Sequence, residues 1–171
     1  FDNTFAMLIR GSDARRLGIA SLTDALPHMG SWRLGAGYEF IERADGYRGF
    51  LEHYGVDFEN SPTELDLGLT YRALAEGRVD IIAGNSTDGQ IDALDLFHLE
   101  DDKRYFPPYE AAPVVRSEVL QANPAVGVAL SELAGKLSES VVRHLNYWVD
   151  VEKAAVRDVA ADFLSTLETG K

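Results

Sequence analysis

Asp66-Leu67-Gly68-Leu69-Thr70-Tyr71-Arg72-Ala73-Leu74-Ala75-Glu76-Gly77, then Val79-Asp80-Ile81-Ile82-Ala83, then Asn85-Ser86-Thr87-Asp88-Gly89, reads as a helix, a buried strand and a polar turn in succession. Leu65, Leu69, Ala73 and Leu74 recur at helical spacing. Gly77 stops the run, because glycine takes the left-handed conformation of a helix end without strain. The strand that follows is a short apolar run of the kind buried on both faces. A polar, glycine-flanked turn at the carboxyl end of such a strand is where open α/β sheets place their ligands. Beyond it the chain returns through Tyr105-Phe106-Pro107-Pro108-Tyr109-Glu110 into Val114-Val115-Arg116, which reads as another strand.

Upstream, Thr4 to Ile9 is a nearly continuous apolar run and predicts a second strand buried on both faces, ended by Arg10-Gly11-Ser12-Asp13. Ser21 is placed to cap a short helix through Leu26, with Pro27 as its stop. Trp32 to Ala36 and Val56 to Phe58 read as short strands. Tyr38 to Arg43 and Gly46 to Tyr54 read as two helical turns, Gly55 closing the second, and Asn60 to Thr63 reads as a loop. Thr87 or Asp88 is positioned to cap a turn leading to Leu94, and Leu96 to Leu99 is strand-like. After Ser117 only helices are expected. Pro124 suits the first turn of one running to Ala134, Ser138 caps a second that carries Val141, Val142, Leu145, Trp148 and Val149 on one face, and the last places Val156, Val159, Ala160, Phe163, Leu164 and Leu167 along one stripe.

The chain of 171 residues is long enough for one core or two small lobes, and its apolar fraction of 46% and charged fraction of 26% are ordinary for a globular protein. A net charge of -12 argues against nucleic acid and against an anionic membrane surface, since either needs a cationic patch to offset phosphate repulsion. Small molecules or other proteins are the expected partners. With no cysteine, disulfides, thiolate zinc sites and cysteine nucleophiles are excluded. The four histidines, His28, His53, His98 and His144, are scattered, and no two of them pair at helical spacing. Gly35-Ala36-Gly37-Tyr38 fails the dinucleotide fingerprint, because Phe40 stands where its third glycine is needed. No Gly-x-Ser-x-Gly elbow surrounds Ser86, so Ser86, Thr87 and Asp88 read as caps and turn formers.

Aromatic residues near strand ends and turns carry more information: Phe5, Tyr38, Tyr47, Tyr71, Tyr105, Phe106 and Tyr109. Most aromatics are core, but two prolines stiffen the approach to Tyr109, and its hydroxyl suits a wet boundary. Rings arranged as a box are how proteins hold cations too hindered to donate hydrogen bonds, such as trimethylammonium groups. Arg43 has two readings, a surface ion pair with Glu39 or Asp45 and a fork for a ligand carboxylate.

Asn3-Thr4-Phe5, Gly35-Ala36-Gly37-Tyr38-Glu39-Phe40, Asp45-Gly46-Tyr47, Tyr71-Arg72-Ala73-Leu74, Ser86-Thr87-Asp88-Gly89, Asp101-Asp102 and Tyr105-Phe106-Pro107-Pro108-Tyr109 together resemble the substrate-binding proteins of glycine betaine/choline/carnitine ABC transporters, from Phe1 to about Phe163. The resemblance implies an α/β fold of the type II periplasmic-binding kind, with two lobes, two crossing strands and a ligand held in the cleft between them. Residues 1–108 would be the second α/β lobe with its crossing strands, and residues 109–171 a mainly helical return to the first. The resemblance further implies a binding protein, with no chemistry and no cofactor, that works in the periplasm or otherwise outside the cytoplasm with an ABC permease and its ATPase. A quaternary ammonium ligand would sit in a box at the positions of Phe5, Asn85 and Tyr109, its carboxylate meeting Arg43, with Asn3 in the same ligand-binding set. Asn85 departs from the family, which often has Tyr there: an amide offers no π face. Phe5 in place of Tyr keeps the face and drops the hydroxyl. The family also has a stretch ahead of Phe1, and the chain opens without an initiator Met, so further sequence is expected upstream. Without it the helices after Ser117 would be partly uncovered, and the isolated chain is expected to self-associate. A ligand-sensing domain of a receptor or regulator on the same fold is the alternative function, and an enzyme using Asp88 or Ser86 the third.

Overall fold

The two long apolar runs become the two central strands of one sheet. In the computed structural model, which describes residues 1–169, β1 (Phe5–Arg10) lies antiparallel to β4 (Ile81–Asn85), with Phe5 opposite Asn85 and Leu8 opposite Ile82. Around them β2 (Leu34–Ala36), β3 (Thr63–Glu64) and β5 (Leu96–His98) complete the order β3-β2-β4-β1-β5. β2 runs parallel to both β3 and β4, whereas β5 is antiparallel to β1. The carboxyl ends of β2, β3 and β4 and the amino end of β1 therefore meet along one edge of the sheet.

Helices cover both faces, which is why β1 is apolar from Phe5 to Ile9. Met7 and Ile9 point into one core with Leu22, Met29, Phe40 and Phe50; Ala6 and Leu8 point into the other with Tyr71, Leu74 and Ile91. The first core is supplied by α1 (Gly11–Leu17), α2 (Leu22–Met29), α3 (Tyr38–Glu42) and α4 (Tyr47–Tyr54), the second by α5 (Leu67–Ala75) and α6 (Gln90–Ala93). Ser21 caps α2 through a capping box with Asp24, its side chain accepting from Asp24 N at 3.1 Å. Gly55 and Gly77 end their helices at φ +67° and +72°, as expected of helix-stop glycines.

Several local expectations fail for physical reasons. Pro27 lies inside α2 and does not end it: burial of Leu22, Ala25 and Met29 carries the helix past the one hydrogen bond that Pro27 removes. Val56 to Phe58 forms no strand, while Thr63, expected to end a loop, joins Glu64 in pairing with Gly35-Ala36 through the backbone. Val114 to Arg116 is an irregular segment, with Val114 97% exposed. β-branched residues favour a strand only where a neighbouring strand is available to pair.

The outgoing segment lies beside the incoming one. Asn3 N donates to Tyr109 O at 3.1 Å and Ala111 N to Phe1 O at 2.9 Å, so the chain enters and leaves the sheet region as an antiparallel pair. Four helices follow: α7 (Ser117–Ala122), α8 (Pro124–Ser131), α9 (Glu139–Asp150) and α10 (Val156–Thr169). Ser138 caps α9, accepting from Val141 N at 3.2 Å. α9 docks on the turn after β4: Arg143 donates to Ser86 O at 2.9 and 2.7 Å and to Glu139 at 2.6 Å, and Asn146 donates to Thr87 O at 2.9 Å.

Candidate functional site

The sheet edge where β2, β3 and β4 end opens into a cleft of about 620 Å³, lined by Phe5, Tyr38, Phe40 and Asn85 and by the carboxylates Glu39, Glu64 and Asp66. Cross-strand pairing of Phe5 with Asn85 places both at its floor. Tyr38 stands 63% exposed at its wall. The Asn85 backbone is held from behind: its N–H donates to the Tyr71 hydroxyl at 2.9 Å. Tyr71 is fully buried, and Gly84 must be glycine because a Cβ there would meet the Tyr71 hydroxyl at 2.6 Å. Burial raises the Tyr71 phenol well above its ordinary value, and the neighbouring Asp88 charge adds to the shift. Burial also raises Asp88, against the hydrogen bonds from Gln90 N and Tyr71 that favour its ionised form. The Asn85 side-chain amide makes no hydrogen bond among the described residues.

Beside this cleft stands a cluster built from two turns. Arg43 leaves the end of α3, and Tyr109 follows the stiff Pro107-Pro108 pair. The guanidinium carbon of Arg43 lies 5.6 Å from the centre of the Phe5 ring and 5.5 Å from that of Tyr109, within cation–π range of both. Arg43 Nε and Nη2 donate to the two carboxylate oxygens of Asp45 at 2.8 and 2.7 Å, and Nη2 also donates to the Tyr109 hydroxyl at 2.6 Å. That hydroxyl in turn donates to Asp45. The hydrogen bond from Arg43 holds the Asp45 carboxyl below its usual range, against desolvation.

The Tyr105 to Tyr109 segment is anchored by Asp101. Asp101 accepts from Tyr105 N at 3.0 Å, from Phe106 N at 2.8 Å and from the Tyr54 hydroxyl. Phe106 then stacks on Phe50 at 6.3 Å and lies 6.1 Å from Phe5, and Phe40 meets Phe5 edge-on at 5.2 Å. Gly46 lets the Asp45 turn close, since a Cβ there would collide with the Phe40 carbonyl.

Of the residues singled out from sequence, Phe5, Arg43 and Tyr109 thus converge on one point, and Asn85 borders Phe5. Asn3 is committed elsewhere: its side-chain oxygen accepts from Thr87 Oγ1 at 2.7 Å, bracing the turn after β4 against the incoming strand. Tyr71 is core, Tyr47 packs against Phe58, and Tyr105 donates to Gly46 O at 2.9 Å. The local ion-pair reading of Arg43 holds with Asp45, and does not preclude its place between two rings. Sequence reasoning missed Asp101 and the three cleft carboxylates. Asp101-Asp102 stood out only as one of the segments that carry the family resemblance, and nothing in its spacing announced three donors. A larger hollow of about 730 Å³ lies between α9 and α10, lined mainly by apolar side chains such as Leu145, Trp148 and Phe163, but no sheet-edge residue reaches it. Among the described residues no group of three or more His, Asp or Glu is arranged to hold a metal ion, and no helix is long and apolar enough to cross a membrane.

A family model described as the substrate binding domain of ABC-type glycine betaine transport system matches residues 1–166. A protein of Helicobacter pylori named ergothioneine transport permease/ergothioneine binding protein EgtU is 34% identical over 167 residues, covering 98% of this chain and 30% of that protein. A glycine-betaine-binding protein of Pseudomonas aeruginosa is 37% identical over 174 residues, covering 96% of this chain and 56% of its own length. The crystal structure of a glycine betaine/carnitine/choline ABC transporter superposes with a TM-score of 0.88 at 37% identity, covering 97% of this chain and 61% of that one. The chain spans 30% to 56% of the two curated relatives' length.

Proposed function

The chain belongs to the family of substrate-binding domains of ABC-type glycine betaine transport systems, and from that premise we propose that the protein carrying it captures a quaternary ammonium osmolyte outside the cytoplasm and passes it to a permease with its ATPase. Its fold is the type II periplasmic-binding fold, and its relatives are substrate-binding proteins, not enzymes. Residues 1–108 serve in this reading as one α/β lobe and residues 109–171 as the return to the other.

The observation that carries the proposal is the pair of rings, Phe5 and Tyr109, facing one cationic carbon at 5.6 and 5.5 Å. A trimethylammonium group cannot donate hydrogen bonds, so it depends on such faces and on nearby negative charge. Glu39, Glu64 and Asp66 around the adjoining cleft supply that charge, and concentrate cations at its mouth. Asn85 offers an amide where a further ring would stand. A missing wall costs roughly 0.5 to 2 kcal/mol, a few-fold to about thirtyfold in affinity, unless the ligand accepts or donates a hydrogen bond there. Arg43 is the cation available for a ligand carboxylate, and Asn3 supports the site through Thr87.

Calorimetric titration of glycine betaine, choline and carnitine into the intact protein tests the reading. Heat of binding with at least one of them is expected. No heat with any would sink the ligand class and leave only the family membership.

A further inference from the structure

We infer that Arg43 is an intramolecular occupant of the cation box, so that a ligand cation enters by displacing it. This inference rests on the proposed ligand class and specifies how the same site selects its guest. Three observations place Arg43 in that role. Its guanidinium carbon is at cation–π distance from both rings at once, 5.6 Å from Phe5 and 5.5 Å from Tyr109. Its Nε and Nη2 form a two-point pair with Asp45 at 2.8 and 2.7 Å, the geometry in which a planar guanidinium binds a carboxylate most favourably. The Tyr109 hydroxyl closes the arrangement, accepting from Arg43 at 2.6 Å and donating to Asp45. Both rings that would hold a guest cation are thus engaged by a cation of the chain itself.

The occupant is nonetheless free to leave. Arg43 is 45% exposed and sits at the end of a five-residue helix, where its long side chain can swing to solvent without disturbing a core. Two cations cannot share the space between the same rings without strong repulsion. A guest must therefore exceed what Arg43 gains there. A ligand bearing a carboxylate compensates by taking the released guanidinium as its own partner, whereas choline, which has none, competes with Arg43 and receives nothing back. The arrangement accordingly discriminates for betaines and against simple quaternary ammonium alcohols.

Two measurements on the intact protein test this. Nuclear magnetic resonance of the Arg43 δ and ε protons should show upfield ring-current shifts that relax toward free-arginine values in Phe5→Ala. Calorimetry should then show choline binding about tenfold tighter in Arg43→Ala and in Arg43→Gln than in the unaltered protein, since both remove the competing charge and Gln keeps most of the volume. Glycine betaine should weaken in both variants. Unshifted Arg43 resonances overturn the inference, as does a choline affinity that stays the same or falls in both variants. If no form of the protein binds either compound, the ligand class fails, and the resonance shifts alone decide whether Arg43 occupies the box.

Discussion

Residues 5–99 and residues 117–169 are both rich in apolar side chains at regular spacing, yet only the first stretch closes over them. Every fully buried apolar side chain among the described residues falls between Ala6 and Leu99, whereas α7, α8 and α9 bury none completely. The difference lies in how each stretch is covered. In the first, strand and helix alternate, so each helix finds a sheet face and each face of β1 finds a helix. In the second, helices follow helices, and α9 packs chiefly against α10 and α6, touching the sheet only through its polar ties to the turn after β4 and to the end of β5. An amphipathic pattern specifies that a face will be buried, but the burial itself needs a partner surface.

The sharpest way to break this comparison is to truncate one apolar side chain on each side of it. Phe50 is fully buried beneath the aromatic segment, 5.1 Å from Tyr54 and 6.3 Å from Phe106. Phe50→Ala is expected to cost roughly 3 to 5 kcal/mol in urea unfolding, the range for a large core truncation that leaves a cavity. Leu145→Ala, on the partly exposed face of α9, is expected to cost about 1 kcal/mol, because little of its surface leaves water. Equal losses would mean that the helical stretch is as well packed as the sheet, and the contrast would fall.

A smaller effect sharpens the boundary between the two regions. Arg143 is the main tie, giving two hydrogen bonds to Ser86 O while pairing with Glu139 on its own helix. Hydrogen bonds from a charged donor contribute about 1.5 to 3 kcal/mol, so Arg143→Ala should loosen α9 by that order. Amide hydrogen exchange should then speed up across α9 while β4 stays protected. Faster exchange in β4 as well would mean that the two regions unfold together.

How much was legible in the sequence follows the same division. β1 and β4 were readable because burial on both faces leaves a nearly unbroken apolar run, and Gly55, Gly77, Ser21 and Ser138 marked helix ends through local chemistry that needs no distant partner. The pairing of Thr63-Glu64 with β2 was not readable: it is made by backbone groups, and neither side chain is buried. Val114 misled because strand propensity expresses packing against a neighbour, and it has none. Of the candidate site, Tyr109 stood out through its prolines, while Phe5 and Asn85 came from family resemblance. Asp45 was legible only as a surface partner for Arg43. That the pair would lie between two rings depends on Tyr109 arriving from 66 residues away.

The smallest effect expected is a pH dependence at the junction. His98 ends β5, with its Nδ1 4.0 Å from Glu139 of α9. Burial disfavours its charged form and the Arg143 charge acts in the same direction, while Asp101 opposes them, so its folded pKa lies below the ordinary value. Between that lowered value and about 6.5 the unfolded chain binds more protons than the folded one, and stability therefore rises with pH across the window. The contribution is fully present above about pH 6.5 and is lost on acidification through the folded pKa. His98→Gln removes the titrating group, so its unfolding midpoint should change less than that of the unaltered protein between about pH 7.5 and about pH 5. Identical changes in the two would mean that the His98 ring stays hydrated in solution, and that α9 does not seal against β5 as Arg143 and Glu139 imply.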